Sequence, residues 1–117
     1  MLCLTALEQA ALREICRQQT NEREILESQL ATATVTRREN SGVGFFTYLA
    51  VDRSTKPMTN GERVLGDVAA AIEGFEQPLF LLLFMKEGYA HMLEGATVND
   101  STSEVDLSSV RFKINTV

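Results

Sequence analysis

The sequence predicts an α+β domain, with one or two N-terminal helices packed on a curved antiparallel sheet of five or six strands. Three observations carry that prediction. Apolar residues recur at helical spacing only before residue 31. From Ala31 onward the pattern alternates residue by residue, and it does so in several separate runs. Glycine, asparagine and proline sit between those runs where turns are needed. Helices first and hairpin-linked strands afterwards is the α+β order, not the alternating order of an α/β protein. At 117 residues, 44% hydrophobic and 23% charged, the chain reads as one globular domain over 1–117. A chain of that size buries enough surface to fold without metal or disulfides.

The first helix opens at a capping box, Thr5-Ala6-Leu7-Glu8, in which hydroxyl and carboxylate satisfy each other's backbone N–H. Leu4, Leu7, Ala11, Leu12 and Ile15 then recur on one face. Gln18-Gln19-Thr20 interrupts the helix, and Asn21-Glu22-Arg23-Glu24 repeats the box signal ahead of Ile25, Leu26 and Leu30. Two helices or one long kinked helix satisfy this pattern equally.

Ala31, Ala33 and Val35 alternate with threonines, predicting a first strand from residue 31. Glu39-Asn40-Ser41-Gly42 is a turn, and Val43 to Val51 is a second strand carrying Phe45, Phe46 and Tyr48. Asp52 to Glu62, with Pro57, Asn60 and Gly61, is a loop and the most mobile segment expected. Alternation over Val64 to Ile72 favours a strand, although its alanines also permit a short helix. Leu79 to Met85 is apolar at every position, which suits a strand covered on both faces. Glu87-Gly88 turns it into a partner strand over Tyr89 to Val98. After an acidic loop, Val110, Phe112 and Ile114 mark a last strand with one exposed face. The doubly apolar strand needs a second cover: sheet curvature, the long loop, or a second subunit in a homodimer packed through the sheet.

Eleven basic against sixteen acidic residues give a net charge of −5. Such a chain lacks the basic footprint of a nucleic-acid or anionic-membrane binder. Arg37-Arg38 is the one basic pair, and its plainer reading is a solvated strand end. The apolar run is too short to span a bilayer, which takes about 20 helical residues. Acid and amide residues near the N-terminus do not fit a signal peptide, so the expected location is the cytoplasm. Cys3 and Cys16 would lie roughly 20 Å apart along a helix, too far for a disulfide. No Cys/His spacing points to zinc, no cofactor is implied, and no nucleophile motif or catalytic constellation stands out.

The candidate binding residues are Glu94, His91, Arg38, Arg37, Tyr48 and Phe45. A regular two-residue turn at Glu87-Gly88 would put His91 on a face with Phe80, Leu82, Phe84 and Leu93. Glu94 would then share the opposite face with Leu81, Leu83, Met85 and Met92. A carboxylate there needs a cation, and Arg37 or Arg38 is the expected partner. His91 is the lone histidine, and packing among aromatics is its plainer reading. Gly42-Val43-Gly44 reads as a turn or bulge, since no helix follows it to cradle a phosphate.

The run Arg38-Glu39-Asn40-Ser41-Gly42-Val43-Gly44-Phe45-Phe46-Thr47, followed by Phe80 to Met85, Glu87-Gly88 and Leu93-Glu94-Gly95, resembles a family of small, uncharacterised bacterial proteins. That family carries an N-terminal helical stretch, an RE-x-(S/T)-G-x-G-F segment and an LEG hairpin. The resemblance spans roughly residues 20 to 98 and lapses around Gly74 to Pro78 and in the polar tail. It implies bacterial origin and the helix-then-sheet order, and it brings no activity. Function is therefore expected to be non-enzymatic: a domain that binds itself through its sheet, or a protein partner. Toxin-neutralising immunity proteins, often small and acidic, are one version by analogy. The alternative is a small-molecule binder or minor enzyme, its pocket between helices and sheet lined by Phe45, Tyr48, His91 and Glu94.

Overall fold

A computed structural model of the protein describes residues 3–59 and 63–116. Two helices, α1 (Ala6–Arg17) and α2 (Arg23–Leu30), precede six strands. These are β1 (Thr34–Asn40), β2 (Gly44–Ala50), β3 (Val64–Ile72), β4 (Leu79–Lys86), β5 (Tyr89–Ala96) and β6 (Phe112–Thr116). They form one open antiparallel sheet in the order β1-β2-β5-β4-β3-β6, the predicted α+β class. Residues 64–72 are strand. Asn60, Gly61 and Glu62, part of the predicted loop, lie outside the described residues.

The capping box of α1 is present as predicted. Glu8 N–H donates to Thr5 Oγ1 at 3.1 Å, and Thr5 N–H donates to Glu8 Oε1 at 2.8 Å. The second box signal fails: Glu22 sits at the N-cap of α2 without capping it. Its carboxylate accepts from the N–H and hydroxyl of Thr59 and pairs with Arg63 instead. The helices are separate, and β1 begins at Thr34, three residues later than alternation suggests, because Thr32 and Ala33 N–H groups still bond back into α2.

Both helices lie on one face of the sheet, α1 over β3, β4 and β6 and α2 over β5. The core between the layers gathers Leu7, Ile15 and Leu26 with Leu79, Leu81, Leu83 and Leu93, all at most 2% exposed. Burying a Leu or Ile side chain is worth about 1.5–3 kcal/mol, so this layer is the main source of stability. The loop after β2, expected to be the most mobile, is tied down. Gln29, fully buried, donates to the carbonyls of Lys56 and Gly88 and accepts from Ala90 N–H. Met58 N–H bonds Gly88 O at 2.8 Å, and Tyr89 Oη reaches the Arg53 and Thr55 carbonyls.

Three β-bulges decide which way side chains face. Thr36 is extra in β1, Gly66 and Asp67 face a single residue of β4, and His91 is extra in β5. An extra residue shifts the two-residue period by one, so everything beyond it changes face. The β3 bulge is held from α1: the Gln18 side-chain amide exchanges two hydrogen bonds, both 3.1 Å, with the Asp67 backbone.

Candidate functional site

The alternation of β4 separates two surfaces. Leu79, Leu81, Leu83 and Met85 point into the core, while Phe80, Leu82, Phe84 and Lys86 point away from the helices. Along the same outward face, β2 adds Phe46 and Tyr48, and β5 adds Met92 and Glu94. Two cross-strand rows result. Arg37, Tyr48, Met92, Phe84 and Val64 lie side by side, and so do Glu39, Phe46, Glu94 and Leu82. No described element covers this face; Phe80 is 40% and Val64 54% exposed. The prediction that β4 is covered on both faces holds on the helix side only. Phe46, Leu82, Phe84 and Met92, all half-buried, and the exposed Phe80 form an apolar surface on this face.

The bulge at His91 corrects the predicted faces. Lys86 does oppose Tyr89 across the Glu87-Gly88 turn, but beyond the bulge Phe84 opposes Met92 and Leu82 opposes Glu94. His91 joins Phe80, Leu82 and Phe84 on the outward face as expected, its ring edge-on to Tyr48 with centroids 6.3 Å apart. Leu93 turns inward, and Glu94 comes out onto the same face as His91. Neither the His91 nor the Glu94 side chain makes a hydrogen bond or ion pair with another described residue.

The expected arginine partners of Glu94 are committed elsewhere. Arg37 lies over the Tyr48 ring at 4.3 Å and pairs with Glu39 at 3.4 Å. The bulge at Thr36 turns Arg38 to the helix side, where it grips Glu8: Nε to Oε2 at 2.9 Å and Nη2 to Oε1 at 2.6 Å. Thr47 Oγ1 adds a hydrogen bond of 2.5 Å to Oε2. Burial alone would raise the Glu8 pKa. Hydrogen bonds from Arg38, Thr47 and the Thr5 backbone outweigh it, holding the carboxyl below its ordinary value. Sequence reading gave Glu8 a capping role and missed this second one, because nothing local in the sequence links residue 8 to residue 38.

The predicted pocket between helices and sheet does not assemble. Phe45 faces inward while Tyr48, His91 and Glu94 face outward. A partly open cleft of about 200 Å³ does lie beside Phe45, Arg38 and Leu7, lined also by Leu107 and Ser108. It is below the ~300–1,000 Å³ usual for ligand sites. The Glu8 oxygens at its wall are filled by protein donors.

The glycine motifs meet as one structural device. Phe45 lies opposite Gly95, and a Cβ at Gly95 would stand 2.4 Å from the Phe45 ring. Gly44, at φ +147°, leaves no room for a Cβ either, the Gly95 carbonyl oxygen lying 1.9 Å from where it would be. Thr102 closes the β1–β2 turn from the acidic loop: Gly44 N–H donates to its hydroxyl, and Asn40 Nδ2 donates to its carbonyl. Gly42-Val43-Gly44 is thus a turn entering β2, as predicted.

Among the described residues, no group of three His, Cys, Asp or Glu side chains is placed to hold a metal ion. No described helix is long and apolar enough to cross a membrane. No protein-family model matches the chain, and no curated protein or solved structure matches it either.

Proposed function

We propose that the protein is a non-enzymatic interaction module whose open sheet face is covered by a second copy of the chain. The observation that carries this reading is the uncovered apolar surface of Phe46, Phe80, Leu82, Phe84 and Met92 on the central strands. Contiguous exposed apolar surface on a folded domain marks an interaction site. With strands about 4.8 Å apart and about 3.4 Å per residue, the face from β1 to β3 and from Phe80 to Lys86 covers roughly 400 Å² in projection, to which the end of β6 adds a little. Side-chain relief brings it toward the ~800 Å² per partner of a standard interface.

Charge favours a second copy. The chain carries −5, yet the face does not share that excess. Arg37, Lys86 and Lys113 lie on or beside it against Glu39, Glu94 and, at the β3 bulge, Asp67. Two such faces meet without net repulsion. Sheets packed face to face in this way are a standard arrangement, about 10 Å apart.

Sedimentation equilibrium tests the reading. The expected result is a dimer for the native protein and a monomer for Phe84→Glu with a native-like circular dichroism spectrum, since Phe84 faces outward from β4, away from the helices; its Tm should fall only by what dimerisation contributes. A native chain that stays monomeric at high micromolar concentration overturns it.

A further inference from the structure

We propose that the two copies meet about a two-fold axis crossing β5 between Met92 and Leu93, which sets His91 of each copy against Glu94 of the other. The inference rests on the self-association argued above and adds its register. Glu94 is the anion closest to the centre of the open face, flanked by Phe46 on β2 and Leu82 on β4. Covering that face with apolar surface alone would strand a carboxylate without water or partner, which costs several kcal/mol. The second copy must therefore bring a donor to it.

The donors available on the face are few. Arg37, on edge strand β1, is held by Glu39 and the Tyr48 ring. Lys86 sits at the turn end of β4, and Lys113 lies on the opposite edge strand, β6. Tyr48 offers a hydroxyl from the neighbouring strand β2, its ring set between Arg37 and the His91 edge. On β5 itself the donor is His91, on the same face as Glu94 because of the bulge and with no side-chain hydrogen bond to a described residue. An imidazole N–H donates to a carboxylate whether the ring is neutral or charged.

In a two-fold interface, if one residue of a copy meets a second residue of its partner, the reverse contact forms as well. Two unlike groups three residues apart on one strand satisfy this when the axis passes midway between them. They lie roughly 10 Å apart along β5, and the gap between packed sheets is also about 10 Å. An imidazole and a glutamate reaching toward each other across that gap, with one hydrogen bond between them, fill it. Two such bonds would flank Met92 at the axis. The bulge in β5 then has a role: without the extra residue, His91 and Glu94 would face opposite ways.

The test uses His91→Glu and Glu94→His in the full chain. One variant carries two carboxylates at these positions and the other two imidazoles. Each alone should self-associate about tenfold or more weakly than the native protein, a loss of roughly 1.4 kcal/mol. An equimolar mixture should recover near-native affinity as a heterodimer, resolved by mass in native mass spectrometry. A native dimer with no preference for the mixed species overturns the pairing and leaves self-association standing. A native monomer overturns both. If circular dichroism shows either variant unfolded, His91→Gln and Glu94→Gln replace them. Each should then weaken the dimer and the double variant should weaken it no further, whereas additive losses overturn the pairing.

Discussion

Arg38 closes a two-point grip on Glu8, thirty positions earlier in the chain, with contacts of 2.9 and 2.6 Å. The pair ties the start of α1 to an edge strand, and Thr5 and Thr47 fill the remaining acceptor sites of the carboxylate. The Glu8 side chain is 3% exposed and that of Arg38 31%, so the carboxylate is screened little while the guanidinium is partly open to solvent.

Acid should therefore weaken the fold through Glu8. Burial opposes ionisation, but the donors prevail and the folded-state pKa lies below its ordinary 4.5. A carboxylate depressed in this way stabilises the fold fully above its unfolded value. That contribution is lost as pH falls from about 4.5 through the folded value. Glu8→Gln should cost about 2–4 kcal/mol at neutral pH by leaving Arg38 without its counter-ion. The gap in Tm between native and variant should narrow as pH drops below that range. A gap constant from neutral to strongly acid pH would contradict the assignment.

Gly44 and Gly95 should resist even alanine. At Gly44 the clash is with backbone, 1.9 Å from the Gly95 carbonyl oxygen, at a φ that L side chains rarely adopt. At Gly95 it is with the Phe45 ring, itself buried and unable to swing aside. Gly44→Ala should cost about 3 kcal/mol or more, and Gly95→Ala about 2. Gly74, also at positive φ, has nothing within 4 Å of a Cβ and serves as the control, with a loss of about 1 kcal/mol expected from strain alone. Urea denaturation of the three variants measures the ranking.

Gln29 joins α2, the loop after β2 and the β4–β5 turn through three buried hydrogen bonds. Truncation strands the Lys56 carbonyl and the Ala90 N–H and leaves the Gly88 carbonyl only its bond from Met58 N–H. Gln29→Ala should lose about 2–4 kcal/mol, and amide exchange should speed up at Ala90 and Met58 before the rest of the sheet. A loss below 1 kcal/mol would mean that water replaces the side chain at little cost.

Helices and strands were legible because periodicity is a property of many residues together. Thr5 to Ile15 reads as a capped amphipathic helix, and β4 and β6 read as strands, whatever happens at one position. A bulge is a single residue and leaves no mark on that period. The alternation at Ala31 predicted the first strand, yet Thr36 reversed Arg37 and Arg38. The residues chosen as candidates included His91 and Glu94, but one extra residue at His91 moved Glu94 to the open face. The neighbours β2 and β5 were not legible either, since Phe45 and Gly95 are brought together by the fold and not by a short turn. Gly66 was the one visible hint, a glycine inside a strand pattern, which is a common bulge signal.

The two thiols should respond very differently to alkylation. Cys3 is exposed, whereas Cys16 lies buried on the inner side of α1. Burial pushes the Cys16 thiol up to about 11, and the nearby Glu27 charge adds to the effect while Arg23 opposes it. Since the thiolate is the reacting form, Cys16 at neutral pH is both shielded and almost wholly protonated. One thiol per chain should react rapidly with a chromogenic disulfide reagent in the native state, and two in denaturant. Cys3→Ser should leave no fast phase. The slow phase that remains should track the unfolding rate, so destabilising variants such as Glu8→Gln should accelerate it. A fast phase surviving in Cys3→Ser would show that the α1–α2 contact opens locally and exposes Cys16 without global unfolding.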